Sequence, residues 1–409
     1  KLRGSWGDLG NHNTSNLYPF YEILPVKSNS GNWLVYGGKT NTADIPSLVS
    51  TLLTWERVRS FNVGFDFGAF SNRLTGSFDY FVRKTVDMVG PAPQLPLVLG
   101  IAPAIVNNAD MKSYGFEIEL SWRDRIGEVD YGVKFNLADA QQKVVKYPNT
   151  TNAFNDWYAG KMSGEIWGYT SLGIAKTDEE MKEHLASLPN GGQNQLGNKW
   201  GAGDIMYADI NGDGKVDGGK GTLADPGDQR IIGNSTPRYN FGLVLDASYK
   251  GFDVSIIFQG VGKRDYAPIV GTNGAVFWGA VNNIWQSMAM EEHFDYFRPE
   301  GHPMGANLNG YYPRPDFTSN KNHQGQTRYL QDASYIRLKN LQIGYTLPKQ
   351  WINKLHINRC RVYVSGDNLW TGTSLASMFD PETLAAGDWG SGKTYPLSKV
   401  ISFGLNVNF

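Results

Sequence analysis

The segment LSKVISFGLNVNF, residues 397–409, decides the fold. Its odd positions are Ile401, Phe403, Leu405, Val407 and Phe409, and its even ones Val400, Ser402, Gly404, Asn406 and Asn408. A period of two over this length gives a strand one apolar and one mostly polar face. The pattern recurs upstream in Leu74/Phe78/Tyr80/Val82, Phe116/Ile118/Leu120/Trp122, Val129/Tyr131/Val133/Phe135/Leu137, Tyr239/Phe241/Leu243/Leu245 and Phe252/Val254/Ile256/Phe258. Between them lie Asp79, Glu117, Glu119, Asp130, Lys134, Asp246, Asp253 and Gln259. A soluble sandwich alternates too, with its apolar face inward. Strand length separates the two cases. Soluble strands average about 5–6 residues, whereas these runs reach roughly 12–18, beyond the ~9–11 that cross a bilayer.

The connections carry an independent signal. The periodicity predicts ten strands near 1–6, 53–70, 73–87, 112–124, 128–146, 237–249, 251–264, 333–347, 358–371 and 397–409. Their joins alternate between long (7–52, 88–111, 147–236, 265–332, 372–396) and short (71–72, 125–127, Lys250, 348–357). Short turns at one end and long loops at the other is the outer-membrane barrel arrangement, with the long loops outside and the C-terminus in the periplasm. The fold class is therefore all-β, a transmembrane antiparallel β-barrel. One strand changes phase: Ile336 and Leu338 are even, Leu341, Ile343 and Tyr345 odd, and a bulge near Lys339–Asn340 restores the register.

Composition agrees. With 48 glycines, 13% aromatics and only 19% charged residues among 409, the chain suits many strands and glycine turns better than helices. A net charge of −1 supplies no basic field for nucleic acid. Mean hydropathy is −0.38, a value that lipid-facing and lumen-facing positions average to in a barrel. No apolar run reaches the ~18 residues of a transmembrane helix. The single cysteine, Cys360, excludes an internal disulfide framework and falls at an apolar-phase position, as a small packed hydrophobe would. The first residues already read as strand, so the chain is expected to begin inside a longer protein.

Residues 147–236 are too long for a structureless join. A small β-element at GEIWGYTSLGI and a helix capped by Thr177, with Glu180 three residues on, predict a folded insertion over the outer mouth. Within it, DINGDGKVDGGK (209–220) places Asp209, Asn211, Asp213 and Asp217 at the first, third, fifth and ninth positions of a calcium loop, with Gly214 at the turn and Lys215 offering its carbonyl. The twelfth position is Lys220 rather than an acid, and Asp228 is the candidate replacement. The same spacing also suits a tight Asn-Gly/Asp-Gly turn without an ion. The loop 265–332 is rich in aromatics, which either stack on sugar faces or form the loop's own core. Most are expected in the core. Trp278, Trp285, Tyr311 and Tyr312 are the candidates to reach a ligand.

Catalysis is not expected. Glu117 and Glu119 share a face, but lumen walls are charged anyway and nothing apolar adjoins them to raise one pKa. The six histidines fall at no metal-ligand spacing, and GxSxG, P-loop and HExxH motifs are absent.

The stretches GDIMYADINGDGKVD (203–217), DQRIIGNSTPRYNFGLVLDASYKGFDVSIIFQGV (228–261), SYIRLKNLQIGYTLPKQWINKL (334–355) and RVYVSGDNLWT (361–371) resemble the SusC/RagA family of TonB-dependent outer-membrane transporters of the Bacteroidetes. KLRGSWGDLGN (1–11) and NRLTGSFDYFVRKTVDM (72–88) match as well. The resemblance implies a barrel of about 22 strands with an N-terminal plug and TonB box. The plug and box are absent from this chain, whose strands would form the C-terminal part of the barrel. It further implies a SusD-like surface lipoprotein acting as a lid, energy from TonB–ExbB–ExbD, and an oligosaccharide or sometimes a peptide as cargo. The chain departs from the family at GGKGTLADPG (218–227), which intervenes before Asp228 and leaves the metal ligand set less certain.

Overall fold

Ten long strands form one antiparallel sheet whose spatial order is the chain order. They are β1 (Leu2–Asn11), β2 (Glu56–Ala69), β3 (Leu74–Gly90), β4 (Val106–Ile126), β5 (Val129–Lys146), β6 (Arg238–Tyr249), β7 (Phe252–Lys263), β8 (Tyr335–Thr346), β9 (Arg359–Thr373) and β10 (Val400–Asn408). The computed structural model describes residues 1–11, 21–46, 48–50, 53–90, 98, 104–269, 275–281, 289–353, 356–384 and 394–409.

Register shows why alternating residues give this sheet two unlike faces. Leu74, Trp122, Val133, Leu245, Ile256, Leu341, Gly366 and Ile401 lie in one line across eight strands. On the opposite face Asp66, Ser77, Glu119, Asn136, Gly242, Gln259, Arg337 and Thr371 form a second line. Leu341 and Arg337 are an even number of residues apart yet occupy opposite faces. Lys339 makes this possible: Ile257 pairs with Asn340 and Phe258 with Leu338, leaving Lys339 unopposed as a bulge. The phase change read at this point in the sequence is a real shift of register.

Polar-face charges are paired between strands. Arg3 meets Asp79 at 2.7 Å and Asp66 at 2.8 Å, and Arg361 bonds Asp253, whereas the Arg238–Asp139 pair lies in phase with the apolar face, beyond Leu137. At the short-turn end the apolar face carries rings: Trp122 donates to the Tyr131 hydroxyl at 3.2 Å, and Phe252 packs on Tyr345 at 4.4 Å. Such girdles mark a bilayer boundary. The tightest turn there, Lys250–Gly251, has φ of 47° and 92°, the doubly left-handed geometry that matches strand twist.

Three strands extend beyond the sequence reading. β1 runs to Asn11 rather than ending near residue 6, while β3 reaches Gly90 and β4 starts at Val106 rather than near 112. Above the apolar band these strands continue to pair, through an irregularity at Asp87 (φ 57°), until Gly90 meets Val106. Hydropathy loses its period there because neither face meets lipid. Cys360 is buried, as its phase suggested.

β1 and β10 are the two edges of the sheet among the described residues. Phe403 and Leu405 on β10 are 85% and 65% exposed, against 44% and 42% for Val63 and Phe65 on the flanked strand β2. The difference is the surface that a neighbouring strand would cover.

Candidate functional site at the long-loop end

The protein's main buried core lies in the loops rather than behind the sheet. Tyr169, Ile205, Tyr207, Phe277, Trp278, Tyr312, Tyr329 and Phe379 form one cluster drawn from the three connections 147–237, 264–334 and 374–399. The insertion begins as its sequence suggested, with short strands at Glu165–Gly168 and Ser171–Ile174 followed by a helix, α1 (Asp178–Ala186). The Thr177 hydroxyl accepts the Glu180 N–H at 3.1 Å, satisfying one of the helix's orphan donors.

A buried carboxylate joins the first two connections. Asp204, fully excluded from solvent, accepts from Arg314 Nε at 2.7 Å, Arg314 Nη2 at 2.6 Å, Lys321 Nζ at 3.0 Å, Asn322 Nδ2 at 2.9 Å and the Gly201 N–H at 2.9 Å. Asn322 in turn accepts the Ile205 N–H, and Tyr207 donates to the Lys321 carbonyl. The third connection is held by Arg337, whose guanidinium meets Asp380 and Glu382 at 2.7 Å each. The loops therefore form one body seated on the sheet.

Of the expected ligand-contacting aromatics, Trp278, Tyr311 and Tyr312 fall within this body. Trp278 is 3% exposed and donates its indole N–H to the Pro268 carbonyl. Tyr312 is buried and Tyr311 half-buried, their rings edge to face at 5.0 Å, and the Tyr311 hydroxyl accepts from Gln331. Burial holds the Tyr311 and Tyr312 hydroxyls above the usual phenol range, so both remain neutral. Trp285 lies outside the described residues. Trp278 and Tyr312 also back an apolar cleft of about 170 Å³ whose outer wall includes Phe294, Tyr296, Pro315 and Phe317. Phe294 and Phe317, which stay exposed, were not among the candidates read from the sequence, because no periodicity distinguishes them from core rings.

The acidic loop folds around its own backbone. Asp209 accepts the Gly212 and Gly214 N–H groups at 2.7 and 2.8 Å, and Asn211 accepts that of Asp213. Asp228, the candidate for the twelfth position, reaches this loop through the loop's backbone. It does so by accepting the N–H groups of Ile210 at 2.7 Å and Asp217 at 2.8 Å. The Lys215 ammonium bonds Asp217 and lies 3.8 Å from Asp213. It holds the Asp217 carboxyl below its ordinary value, whereas burial pushes Asp228 up. Among the described residues no three acidic, histidine or cysteine side chains stand together as a ligand cluster. The carboxylates of the predicted ligand set instead accept bonds from backbone N–H groups and the Lys215 ammonium.

The family profile described as "TonB dependent receptor-like, beta-barrel" matches residues 1–369. The chain belongs to this family. Its barrels stand in the outer membrane, and within the family the chain is of the SusC/RagA type. It is 28% identical to TonB-dependent receptor P3 of Formosa agariphila over all of its own length and 39% of that protein's. It is 20% identical to TonB-dependent receptor SusC of Bacteroides thetaiotaomicron, again over its whole length and 37% of the relative's. The solved structure of the RagAB peptide transporter superposes with a TM-score of 0.68 at 23% identity, covering all of this chain and 40% of that one. That likeness establishes the fold. The chain thus spans about two fifths of the length of these relatives.

Proposed function

We propose that this chain forms the C-terminal wall and outer mouth of an importer that takes up oligosaccharides across the outer membrane. The observation that carries this reading is the polar line from Asp66 to Thr371 running beneath a folded loop body. Its Ser77, Glu119, Asn136 and Gln259 side chains exchange hydrogen bonds with hydroxyl groups, and the lipid-facing line opposite supports a spanning barrel. The loops lie outside the cell and the short turns and Phe409 in the periplasm. A SusD-like lipoprotein closes over the loop body, and TonB–ExbB–ExbD supplies the energy through parts of the protein beyond this chain. No catalytic step belongs to the reading. Calcium is proposed to sit in the 209–228 loop as a structural clip, with Asp209, Asp213, Asp217 and Asp228 turning oxygens to it once Lys215 swings out.

A second reading, peptide import, is favoured by the apolar cleft behind Phe294 and Phe317, which suits a hydrophobic side chain. A non-transporting glycan adhesin is the alternative from another class. Uptake of labelled oligosaccharide and peptide by cells carrying or lacking the full-length receptor separates the three. Energy-dependent oligosaccharide uptake is expected. Surface binding that persists after the proton gradient is collapsed, with no accumulation, would establish the adhesin instead.

A further inference from the structure

A second cleft, of about 400 Å³, opens where the end of β7 meets the Glu165–Gly168 strand and the turn at Gln324–Gly325. We infer that it is a subsite for one neutral sugar unit of the cargo, a reading that rests on the oligosaccharide proposal. Trp167, half-buried and stacked on Phe154 at 4.6 Å, forms part of its wall beside Tyr266. An aromatic wall suits the C–H face of a pyranose.

The polar groups select the ligand further. Asp265 uses Oδ2 to accept the Asn234 N–H at 2.7 Å, and its Oδ1 accepts no bond among the described residues. Gln229 donates Nε2 to the Tyr169 hydroxyl at 2.9 Å and Gln324 donates to the Asn320 carbonyl at 3.0 Å. Each amide is thereby oriented, and neither amide oxygen has a partner among the described residues. Three fixed acceptors thus border the cleft.

Its cations are engaged elsewhere. Arg264 donates to the Ser235, Pro381 and Leu384 carbonyls, and Lys161 to those of Phe154 and Asp156. With these donors directed at carbonyls and the charges of Lys161 and Arg264 matched by Glu165 and Asp265, the cleft offers a carboxylated or sulfated sugar no net positive field. A hydroxyl-rich neutral ring supplies the donors that the acceptors lack.

The test is calorimetric titration of the full-length receptor, with its lid lipoprotein, against neutral oligosaccharides, uronic-acid oligosaccharides and peptides. Neutral sugars are expected to bind more tightly than uronic ones, and Asp265→Asn, which turns the free acceptor into a donor while keeping an oxygen for Asn234, to weaken them about tenfold. Trp167→Ala should do the same, and retained heat-modifiability in electrophoresis reports that each variant's barrel is folded. Neutral sugars binding wild type and Asp265→Asn equally, or uronic sugars binding more tightly, would overturn the subsite and leave oligosaccharide import standing. Peptide binding with no sugar binding would remove the import reading and the subsite together.

Discussion

His323 lies against the Trp278 ring, 4.5 Å between centroids, and is 2% exposed. Burial lowers its pKa from 6.5 to about 4, with only partial opposition from Asp316. Between these values the unfolded state binds more protons, so stability declines as pH falls from 6.5 towards 4 and is level outside that window. The full effect is roughly 3 kcal/mol. Protection factors of loop-body amides, which divide out the intrinsic pH dependence of exchange, should therefore fall on acidification across this range, and His323→Gln should flatten that fall. Unchanged acid sensitivity in that variant would show that another group is responsible. A second residue-scale prediction concerns the acidic loop. Metal analysis of the purified protein should find calcium that Asp209→Ala with Asp213→Ala removes. Because the Lys215 ammonium competes for the same oxygens, Lys215→Ala should tighten calcium binding. Weaker binding in that variant would mean that the loop is an ion-free turn closed by Lys215.

At the scale of elements, Asp204 makes one body of two connections that are distant in sequence. Asp204→Ala leaves Arg314 and Lys321 without their shared carboxylate, Lys321 being 1% exposed. Breaking a buried pair from one side costs about 3–5 kcal/mol. Limited proteolysis should then cut both 147–237 and 264–334 at once, while the strands stay protected. Cleavage confined to one connection would show that the loops fold independently. The bulge at Lys339 works at this scale too. It lets Arg337 reach Asp380 and Glu382 on the polar face while Leu341 and Ile343 stay on the apolar one.

For the whole molecule the open edges matter most. Unpaired backbone groups on a lipid-exposed strand cost several kcal/mol each, and β1 and β10 both present them. These 409 residues expressed alone should not fold into a stable monomeric barrel. Electrophoresis with and without heating is the check, and a heat-modifiable closed barrel of ten strands would count against this. Joined to the remaining strands of a larger barrel, Phe409 would end a strand paired on both sides, its ring at the periplasmic boundary.

The sequence by itself determined the strands, their faces, the long-short rhythm of the joins and the bulge at Lys339. Each follows from a period of two, and a period is a local property that neighbouring residues report without reference to distant ones. The Thr177 cap was legible for the same reason. Strand ends above the membrane were not, because hydropathy carries no period where neither face meets lipid. Only the tertiary structure decided the use of the loop aromatics, turning Trp278 and Tyr312 into a core and leaving Phe294 and Phe317 to line a cleft. It also brought Asp265, Gln229 and Gln324 around one opening and set Asp204 against Lys321. Whether a ring or a carboxylate is buried or exposed in a loop depends on contacts across a hundred residues of chain, and no local spacing encodes them.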